Sequence, residues 1–349
     1  MATMDIFNAN AFSMVSLTQF LNKVDYLPSL LGSLEIFEPM PTRTPTIMIE
    51  KRESGLSIIQ TSERGAPLEA RENDKRDIRP FATRRIAKGD TIQASEILGI
   101  RADGSETELQ NVANEVERRY NGPAGILRDV DMTWENMRLG AVQGIVLDAD
   151  GATLDNWYTN WGIAQAAEID FELDDTATNV RLKCQTVTRT MAKASKGAWI
   201  MGATEVHALC GDTFYDHLTN HASVVASYTG WASAAELRQN IAYSAFTFSG
   251  ITFHNYRGAD SFAAQGQAGK AGMGIDAEKA KFFPVRAPGV FKMAYAPGEA
   301  FSHLQMAPQM LYGLVVRDLQ RDFWVRPEAY SYPLFVCTRP EMLQRAKDH

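Results

Sequence analysis

The sequence predicts an α+β fold, and two observations support that class. Short strand-like and helix-like segments follow one another in the second half of the chain, without the regular strand–helix–strand order of a parallel α/β sheet. A long stretch of helical periodicity, residues 105–142, separates this half from a densely charged segment. The chain has 349 residues, a length typical of about two domains.

Composition sets the broad class of the protein. Hydrophobic residues make up 45% of the chain and charged residues 22%, which is typical of globular proteins. The net charge of −7 disfavours a general nucleic-acid-binding protein. The three cysteines lie far apart, which favours reduced, buried thiols over disulfides. We find no membrane-spanning apolar run and no secretory signal, and we expect a protein that is made in a cytoplasm and kept there until something else moves it.

Residues 1–45 predict an arm rather than a domain. Apolar residues in the segment 12–24 recur at helical spacing and predict one short helix. Pro39, Pro41 and Pro45 follow in close succession, and they favour an extended chain after that helix.

Residues 46–103 predict an extended, two-stranded loop. Ile47–Ile49 is a short apolar run, and Phe81, Ile86 and Ile92 resume a rough alternation beyond a charged middle. A ribbon of this kind buries too little apolar surface to be stable alone. It is either a partly disordered surface loop or an arm ordered by lying across a second copy of the chain. The charged residues predicted to contact that second copy are Arg64, Arg71, Lys75, Arg76, Asp77, Arg79, Arg84 and Arg85.

The next segment predicts a long helix with an interruption. Apolar residues at three- and four-residue spacing line one face of the segment 105–120, and the pattern resumes over 126–142. Asn121-Gly122-Pro123 lies between the two parts. Two helices in line and one kinked helix both fit, because proline removes a helical hydrogen bond and bends the axis. Gly144 ends the helix, and a strand is predicted at 145–147.

Short elements alternate through the rest of the chain. Helices are predicted at 180–194, around 210–218 and around 234–242. Strands are predicted at 169–173, 199–201, 246–256 (as a pair), 282–285, 290–295, 311–316 and 330–338. A segment rich in glycine and alanine, residues 258–281, predicts a mobile loop.

One motif suggests phosphoryl chemistry. Asp148-Ala149-Asp150-Gly151 follows an apolar strand and is similar to the first motif of haloacid-dehalogenase-type phosphatases, in which one Asp attacks phosphorus and the second acts as acid or base. That motif normally ends the first strand of a doubly wound sheet, whereas here it follows a long helix. We therefore interpret the motif as a strand-ending turn. A phosphatase built on Asp148 and Asp150 is kept as an alternative.

Four residues are of types that bind zinc: His207, Cys210, His217 and His221. They would fall on different faces of a single helix. A better interpretation is a strand end, with Cys210 buried, followed by a helix capped at Asp212. The sequence contains neither the nucleophile elbow of a serine hydrolase nor a phosphate-binding loop. We predict no catalytic residue, no metal ligand and no cofactor-binding residue.

The chain resembles the major capsid proteins of tailed bacteriophages, the lambda-like E-protein family, over roughly residues 45 to 345. Each matching stretch is short, and their shared order makes the resemblance specific. The stretches are Ile49–Arg52 with Leu56-Ser57, Asp74–Arg79, Gly104–Leu109, Gly144–Gly151, Leu209–Asp212, Phe248–Phe253, Tyr256–Gly258, Phe282–Pro284, Pro288-Gly289, Ser331–Leu334 and Cys337–Pro340.

The resemblance implies a capsid fold of the Hong Kong 97 type. It divides the chain into an N-terminal arm (1–45), an extended loop (46–103), a peripheral domain with a long spine helix (104–195) and an axial domain (196–349). Part of the segment 300–330 would return to the peripheral domain. The break at Asn121-Gly122-Pro123 departs from the continuous spine helix that the family implies.

The function implied is structural, with no enzymatic activity and no cofactor. Copies of the chain would form pentamers and hexamers that close into the icosahedral head of a tailed phage, around double-stranded DNA that is not bound sequence-specifically. The implied partners are a scaffolding function, a portal and a decoration protein. No interaction with a membrane is implied. The implied location is the virion, after assembly in the host cytoplasm. The alternative within the same fold is an encapsulin-like compartment shell.

Overall fold

The computed structural model describes residues 27–53, 75–97, 112–228, 245–258, 273–301, 303 and 306–349. Within these ranges it confirms the α+β class, because helices and strands of mixed order build separate layers. The helices predicted at 12–24 and 234–242 lie outside the described residues, as does most of the glycine-rich segment.

The strands are β1 (Glu38–Pro41), β2 (Thr46–Glu53), β3 (Lys75–Ala82), β4 (Ile86–Gly89), β5 (Ile92–Gln93), β6 (Ile145–Leu147), β7 (Thr153–Asn156), β8 (Ile169–Asp170), β9 (Glu205–Cys210), β10 (Ala245–Phe248), β11 (Ile251–Asn255), β12 (Lys279–Val285), β13 (Phe291–Tyr295), β14 (Tyr312–Arg317), β15 (Trp324–Ser331), β16 (Pro333–Cys337) and β17 (Gln344–Lys347). The helices are α1 (Leu30–Ser33), α2 (Ala94–Ile97), α3 (Val112–Asn121), α4 (Ile126–Gln143), α5 (Trp157–Trp161), α6 (Val180–Ala194), α7 (Asp212–Asn220) and α8 (Ala222–Tyr228), with a 3₁₀ turn at Pro340–Met342.

The largest sheet has six strands in the order β10-β11-β9-β12-β17-β8. Its central strand, β9, pairs parallel with β11 and antiparallel with β12. Helices α6, α7 and α8 share one buried cluster with this sheet. Phenylalanines fill the cluster, where Phe282 stacks on Phe171 at 5.8 Å and meets Phe253 edge-on at 6.1 Å. The alternation of side chains along a strand sends Leu209 and Phe283 to a second core on the other face.

The second core lies between α4 and a three-stranded sheet of order β1-β13-β16. Strand β1 belongs to the segment predicted as an N-terminal arm, and it pairs parallel with β13 from Glu38↔Lys292 to Pro41↔Tyr295. Phe37, just before this strand, contacts the rings of Phe291 and Phe335 at 5.3 and 5.2 Å. Residues 38–41 are therefore part of the folded body.

A third sheet has the order β14-β15-β4, with β5 paired to β15. Helices α3 and α4 pack on it, and two side chains fix their positions. Tyr120 Oη donates to the carbonyl oxygen of Leu314 at 3.0 Å, and Trp134 Nε1 donates to Ser331 Oγ at 3.1 Å. Within the described ranges, no helix has the length and apolar character needed to span a membrane.

The long helical stretch forms two helices, which is one of the two predicted alternatives. Helix α3 ends before Pro123, and α4 begins after Gly125. The turn between them leaves no room for a side chain at two positions. A Cβ on Gly122 would lie 2.2 Å from the carbonyl oxygen of Arg118, and one on Gly125 would lie 2.4 Å from that of Tyr120. Pro123 cannot continue the helix, so the backbone turns sharply at this point. Glycine at positions 122 and 125 lets the turning backbone lie against the last carbonyl groups of α3.

Some predicted strands are shorter or absent. Residues 199–201 form no strand; the backbone N–H groups of Ala203 and Thr204 donate to the carbonyl oxygen of Ile200 and close a turn. The strand predicted at 169–173 ends at Asp170, since Glu172 adopts a left-handed backbone with φ of 49°. The segment 330–338 is divided at Tyr332 into the end of β15 and the whole of β16.

Two local boundaries also differ from the prediction. Asp212 does not cap α7; Gly211 occupies the N-cap position, and Asp212 is the first helical residue. A Cβ on Gly211 would lie 2.1 Å from the carbonyl oxygen of Asp276, so this position requires glycine. Lys279 and Lys281, predicted as loop, belong to β12 because they pair with β17.

Glu135 of α4 holds the N-terminal arm to the body. Its carboxylate is 1% exposed and accepts the backbone N–H of Leu31 at 2.6 Å and that of Gly32 at 3.0 Å. Arg138 Nη1 lies 3.3 Å from the same carboxylate, and its guanidinium stands over the Phe335 ring at 5.5 Å. Burial raises the pKa of Glu135, while the two N–H donors and Arg138 act in the opposite direction.

Substituting Glu135→Ala should lower the free energy of unfolding by about 2–4 kcal/mol, because two backbone donors and Arg138 lose a buried charged acceptor. Denaturant unfolding of unassembled subunits measures this loss. Asp131→Ala removes an exposed acid from the same helix and should change stability by no more than about 0.5 kcal/mol. Equal effects of the two substitutions would contradict the assigned role.

Two buried histidines contact each other in the six-stranded sheet. His207 Nδ1 and His254 Nε2 lie 2.9 Å apart, and their rings stack at 5.0 Å. Glu205 Oε2 lies 3.7 Å from His207 Nε2, and Arg286 pairs with Glu205. Burial lowers the pKa of both histidines, to about 4 for His254, where the nearby His207 adds to the shift.

Subunit stability should therefore fall as the pH is lowered from about 6.5 toward 4. A histidine with a lowered folded-state pKa is held neutral, so the unfolded chain binds more protons below its own pKa of about 6.5. His254→Gln should reduce this acid loss, as measured by thermal unfolding across that range. His349→Gln, which removes an exposed imidazole, is the control. An identical acid slope in wild type and His254→Gln would refute the assignment.

Candidate functional site

Strands β2 and β3 form a two-stranded ribbon that stands apart from the other sheets. They pair antiparallel over eight residues each, from Thr46↔Ala82 to Glu53↔Lys75. Among the strands that the structure describes, neither pairs with a third. This β2–β3 ribbon is the proximal part of the predicted extended loop, and the segment 54–74 that joins its strands lies outside the described residues.

The two faces of the ribbon differ in burial. The register places Ile47 opposite Phe81 on the inner face, where Ile47 and Ile49 are buried. It places Met48 opposite Pro80 on the outer face, and alternation puts Ile78 there too. Met48 is 67% exposed and Ile78 57% exposed, while Pro80 is also exposed. The outer face thus presents large apolar side chains to solvent.

Phe81 anchors the inner face to the body. Its ring meets those of Trp157 and Trp161 edge-on, with centroids 5.3 and 5.6 Å apart. Asn156 caps α5 by accepting the backbone N–H groups of residues 158 and 159, and this cap fixes both tryptophans. Arg79 lies over the Trp161 ring at 5.9 Å and donates to the carbonyl oxygen of Asn160.

Arg84 forms a second anchor just beyond the ribbon. Its Nη2 donates to the carbonyl oxygen of Leu154 at 2.7 Å and lies 3.2 Å from Asp155 Oδ2. Burial raises the pKa of Asp155, while the Arg84 guanidinium opposes that rise. Farther along, Arg85 pairs with Glu299 at 3.1 Å, and both side chains are largely exposed. These contacts join the ribbon to α5, β7 and the segment after β13.

The charged residues predicted to contact a second copy fall into three groups. Arg79, Arg84 and Arg85 contact their own subunit, as described above. Lys75, Arg76 and Asp77 lie in β3. Arg64 and Arg71 lie outside the described residues. An inter-subunit role for any of the eight stays a prediction. The charge pattern of the sequence indicates neither the anchor nor the exposed apolar face, although the aromatic-rich segment 157–161 is a sequence signal for the anchor.

The structure places Asp148 and Asp150 in the turn between β6 and β7, which form their own antiparallel pair. Asp148 Oδ1 accepts the backbone N–H of Ala149, and Asp150 Oδ1 accepts that of Ala152, each at 2.8 Å. A cavity of about 300 Å³ lined by α4 and β4 lies beside Asp148. The two carboxylates stabilise the turn, as the strand-ending interpretation predicts.

The four residues of zinc-binding type lie in separate surroundings. His207 pairs with His254, and Cys210 is buried at the end of β9. His217 Nδ1 contacts Asp348 Oδ2 at 2.6 Å, while His221 contacts Ser223 Oγ at 2.8 Å. In the described part of the chain, no group of three or more His, Cys, Asp or Glu is arranged to hold a metal.

The three cysteines are buried free thiols, as predicted. Burial raises the pKa of Cys184 and of Cys337 to about 12, and it raises that of Cys210 as well. Such thiols remain protonated and unreactive at neutral pH.

Comparisons with known proteins match nearly the whole chain. The family model described as phage major capsid protein E matches residues 13–347. The major capsid protein of Pseudomonas phage KPP10 is 26% identical over 334 residues, covering 90% of this chain and 91% of the relative. That of Salmonella phage Felix O1 is 22% identical over 360 residues, covering 95% of each.

A solved structure shares the fold. The crystal structure of a putative capsid protein of a prophage from E. coli CFT073 superposes with a TM-score of 0.54 at 12% sequence identity. The match covers 96% of this chain and 98% of the other. The fold is of the Hong Kong 97 capsid type.

Proposed function

The chain belongs to the phage major capsid protein E family and is a major capsid protein of a tailed phage, and from this premise we propose how its ribbon takes part in the shell. The role of the family is structural, and copies of the chain associate with one another to form the capsid. The family match favours this role over the encapsulin-like alternative. We further propose that the chain has no enzymatic activity, and that the turn carboxylates Asp148 and Asp150 only stabilise backbone.

The proposal is that the β2–β3 ribbon lies across a neighbouring copy with its outer face buried there. Phe81 and Arg84 hold one end of the ribbon to its own subunit. The outer face leaves Met48 and Ile78 more than half exposed. A two-stranded ribbon with one open apolar face gains stability when that face is covered. This division of the two faces is the observation that carries the proposal.

Charge supports the same arrangement. The distal part of the extended loop carries Arg64, Arg71, Lys75, Arg76 and Asp77, with acids interspersed. Exposed ion pairs contribute only about 0.2–1 kcal/mol each. Complementary charges set register and partner choice more than affinity. We propose that the apolar face supplies most of the contact free energy, and that these charged residues select its position on the neighbour.

The domain division follows the buried clusters. We propose residues 1–45 as arm and 46–103 as extended loop, although 38–41 pair with the body. The peripheral domain begins near residue 104, and strands β14 and β15 join it through α3 and α4. Helix α6 packs with the six-stranded sheet, which supports ending the peripheral domain near residue 168 instead of 195. The axial domain then comprises that sheet and its helices.

The remaining partners follow from the family role. We propose pentamers and hexamers closing into an icosahedral head that encloses double-stranded DNA without sequence-specific binding. A scaffolding function, a portal and a decoration protein would act with the shell, and assembly would take place in the host cytoplasm. We propose that neither a membrane nor a cofactor takes part in this function.

The double substitution Met48→Ala/Ile78→Ala tests the ribbon. It should leave the melting temperature of unassembled subunits unchanged, because both side chains are exposed there. It should lower the yield of closed shells, measured by electron microscopy and sedimentation. Phe81→Ala, on the inner face, should instead lower subunit stability by about 2–4 kcal/mol.

Leu182→Ala is the matched control, since Leu182 is a similarly exposed apolar residue (54%) on a different element. It should affect neither stability nor shell yield. Normal shells from the Met48→Ala/Ile78→Ala protein would show that the outer face makes no essential contact, and the proposal would fail.

A further inference from the structure

Helix α6 carries an unusual concentration of positive charge. No Asp or Glu occurs between Asp175 and Glu205 in a chain whose net charge is −7. Five basic residues occur in that interval: Arg181, Lys183, Arg189, Lys193 and Lys196. The helix buries Val180, Cys184, Val187 and Met191 against the six-stranded sheet, which leaves its other side in solvent.

Three of the five cations have no partner in the described part of the chain. Lys183 pairs with Glu172 at 3.2 Å, and Lys196 pairs with Glu341 at 3.6 Å. Arg181, Arg189 and Lys193 are exposed and make no ion pair or hydrogen bond with any described side chain. Uncompensated basic residues on one helix face favour an anionic partner.

Helix stability does not account for this pattern. A cation near a helix C-terminus is favourable, which explains Lys193, but Arg181 stands in the first turn, where the dipole disfavours it. Thr186 and Thr190 donate their hydroxyls to backbone carbonyls four residues earlier. These hydroxyls are neutral and leave the charges of the arginines uncompensated. The positive charge is therefore directed to solvent.

The geometry fits the phosphate backbone of a duplex. Arg181 and Lys193 are twelve residues apart, which is about 18 Å along the helix axis. One strand of DNA carries a phosphate about every 3.4 Å along its axis, so this length spans about five phosphates. The net acidity of the subunit does not prevent the contact, since charges beyond about 8–10 Å are largely screened at physiological salt.

We propose that the exposed face of α6 binds the phosphate backbone of double-stranded DNA through Arg181, Arg189 and Lys193. The contact is independent of sequence, because phosphate groups carry no sequence information. A protein partner would require the apolar or aromatic centre typical of such interfaces, and Leu182 is the only large apolar side chain exposed on this helix. The inference rests on the proposed function in one respect, that DNA is the content of the shell.

The experiment measures binding of a short DNA duplex of mixed sequence to unassembled full-length subunits across a range of salt concentrations. With three phosphate contacts, the slope of log K against log salt should be about −2.7, at about −0.9 per contact. Arg181→Gln/Arg189→Gln/Lys193→Gln should bring the slope close to zero and weaken binding at low salt by roughly tenfold or more. The three side chains are exposed, so thermal unfolding should be unchanged.

The control variant is Arg43→Gln/Arg128→Gln/Arg321→Gln. It makes the same change in net charge at three exposed positions on other parts of the surface. It should retain the wild-type affinity and slope. Equal weakening in both variants would show that only net charge matters, and would overturn the proposal.

Two further readouts separate this inference from the shell function. Shells of the α6 variant should form normally by electron microscopy. If shells fail while DNA affinity is unchanged, the face is an inter-subunit contact, and the DNA proposal is wrong while the shell function stands. If polyglutamate binds this face but the duplex does not, the partner is an acidic protein, which also overturns the proposal.

Discussion

The contact of Phe81 with Trp157 and Trp161 is the interaction on which the β2–β3 ribbon depends. A ribbon of two strands has one hydrogen-bonded partner per strand and no layer of its own to cover either face. By packing Phe81 on the tryptophans, the body covers one face near the root and leaves the other open. The ribbon then has a fixed direction, and its outer apolar residues are available to another copy.

The rest of the body makes that anchor rigid. The tryptophans lie on a short helix whose first turn is capped by Asn156, and Trp161 Nε1 donates to the carbonyl oxygen of Cys337 at 3.0 Å. The core beneath them joins α4 to the sheet that includes the strand of the N-terminal arm. Glu135 ties the same arm to α4 from the other side. A force on the ribbon is thus transmitted to the main core of the subunit.

The sequence predicted the elements with strong local signals. The helix at 180–194, the strand pair at 246–256 and the end of the long helix at Gly144 were correct because periodicity and glycine position are local properties. The site was harder to predict. Arg84 pairs with Asp155, which is 71 residues later in the chain, and nothing in the local sequence pattern indicates that pairing. Charge can be recognised in the sequence alone, whereas the assignment of ribbon residues to the inner or the outer face depends on the register of the two strands.

Hydrogen exchange on unassembled subunits and on assembled shells of the same protein most directly tests whether a neighbouring copy covers the ribbon. Amides near Ile47, Ile49 and Phe81 should be protected in both states, because the subunit's own core covers them. Amides at the distal end of β3, from Lys75 to Ile78, should gain protection only in shells. Equal protection along the whole ribbon in both states would contradict the claim that a neighbouring copy covers its outer face.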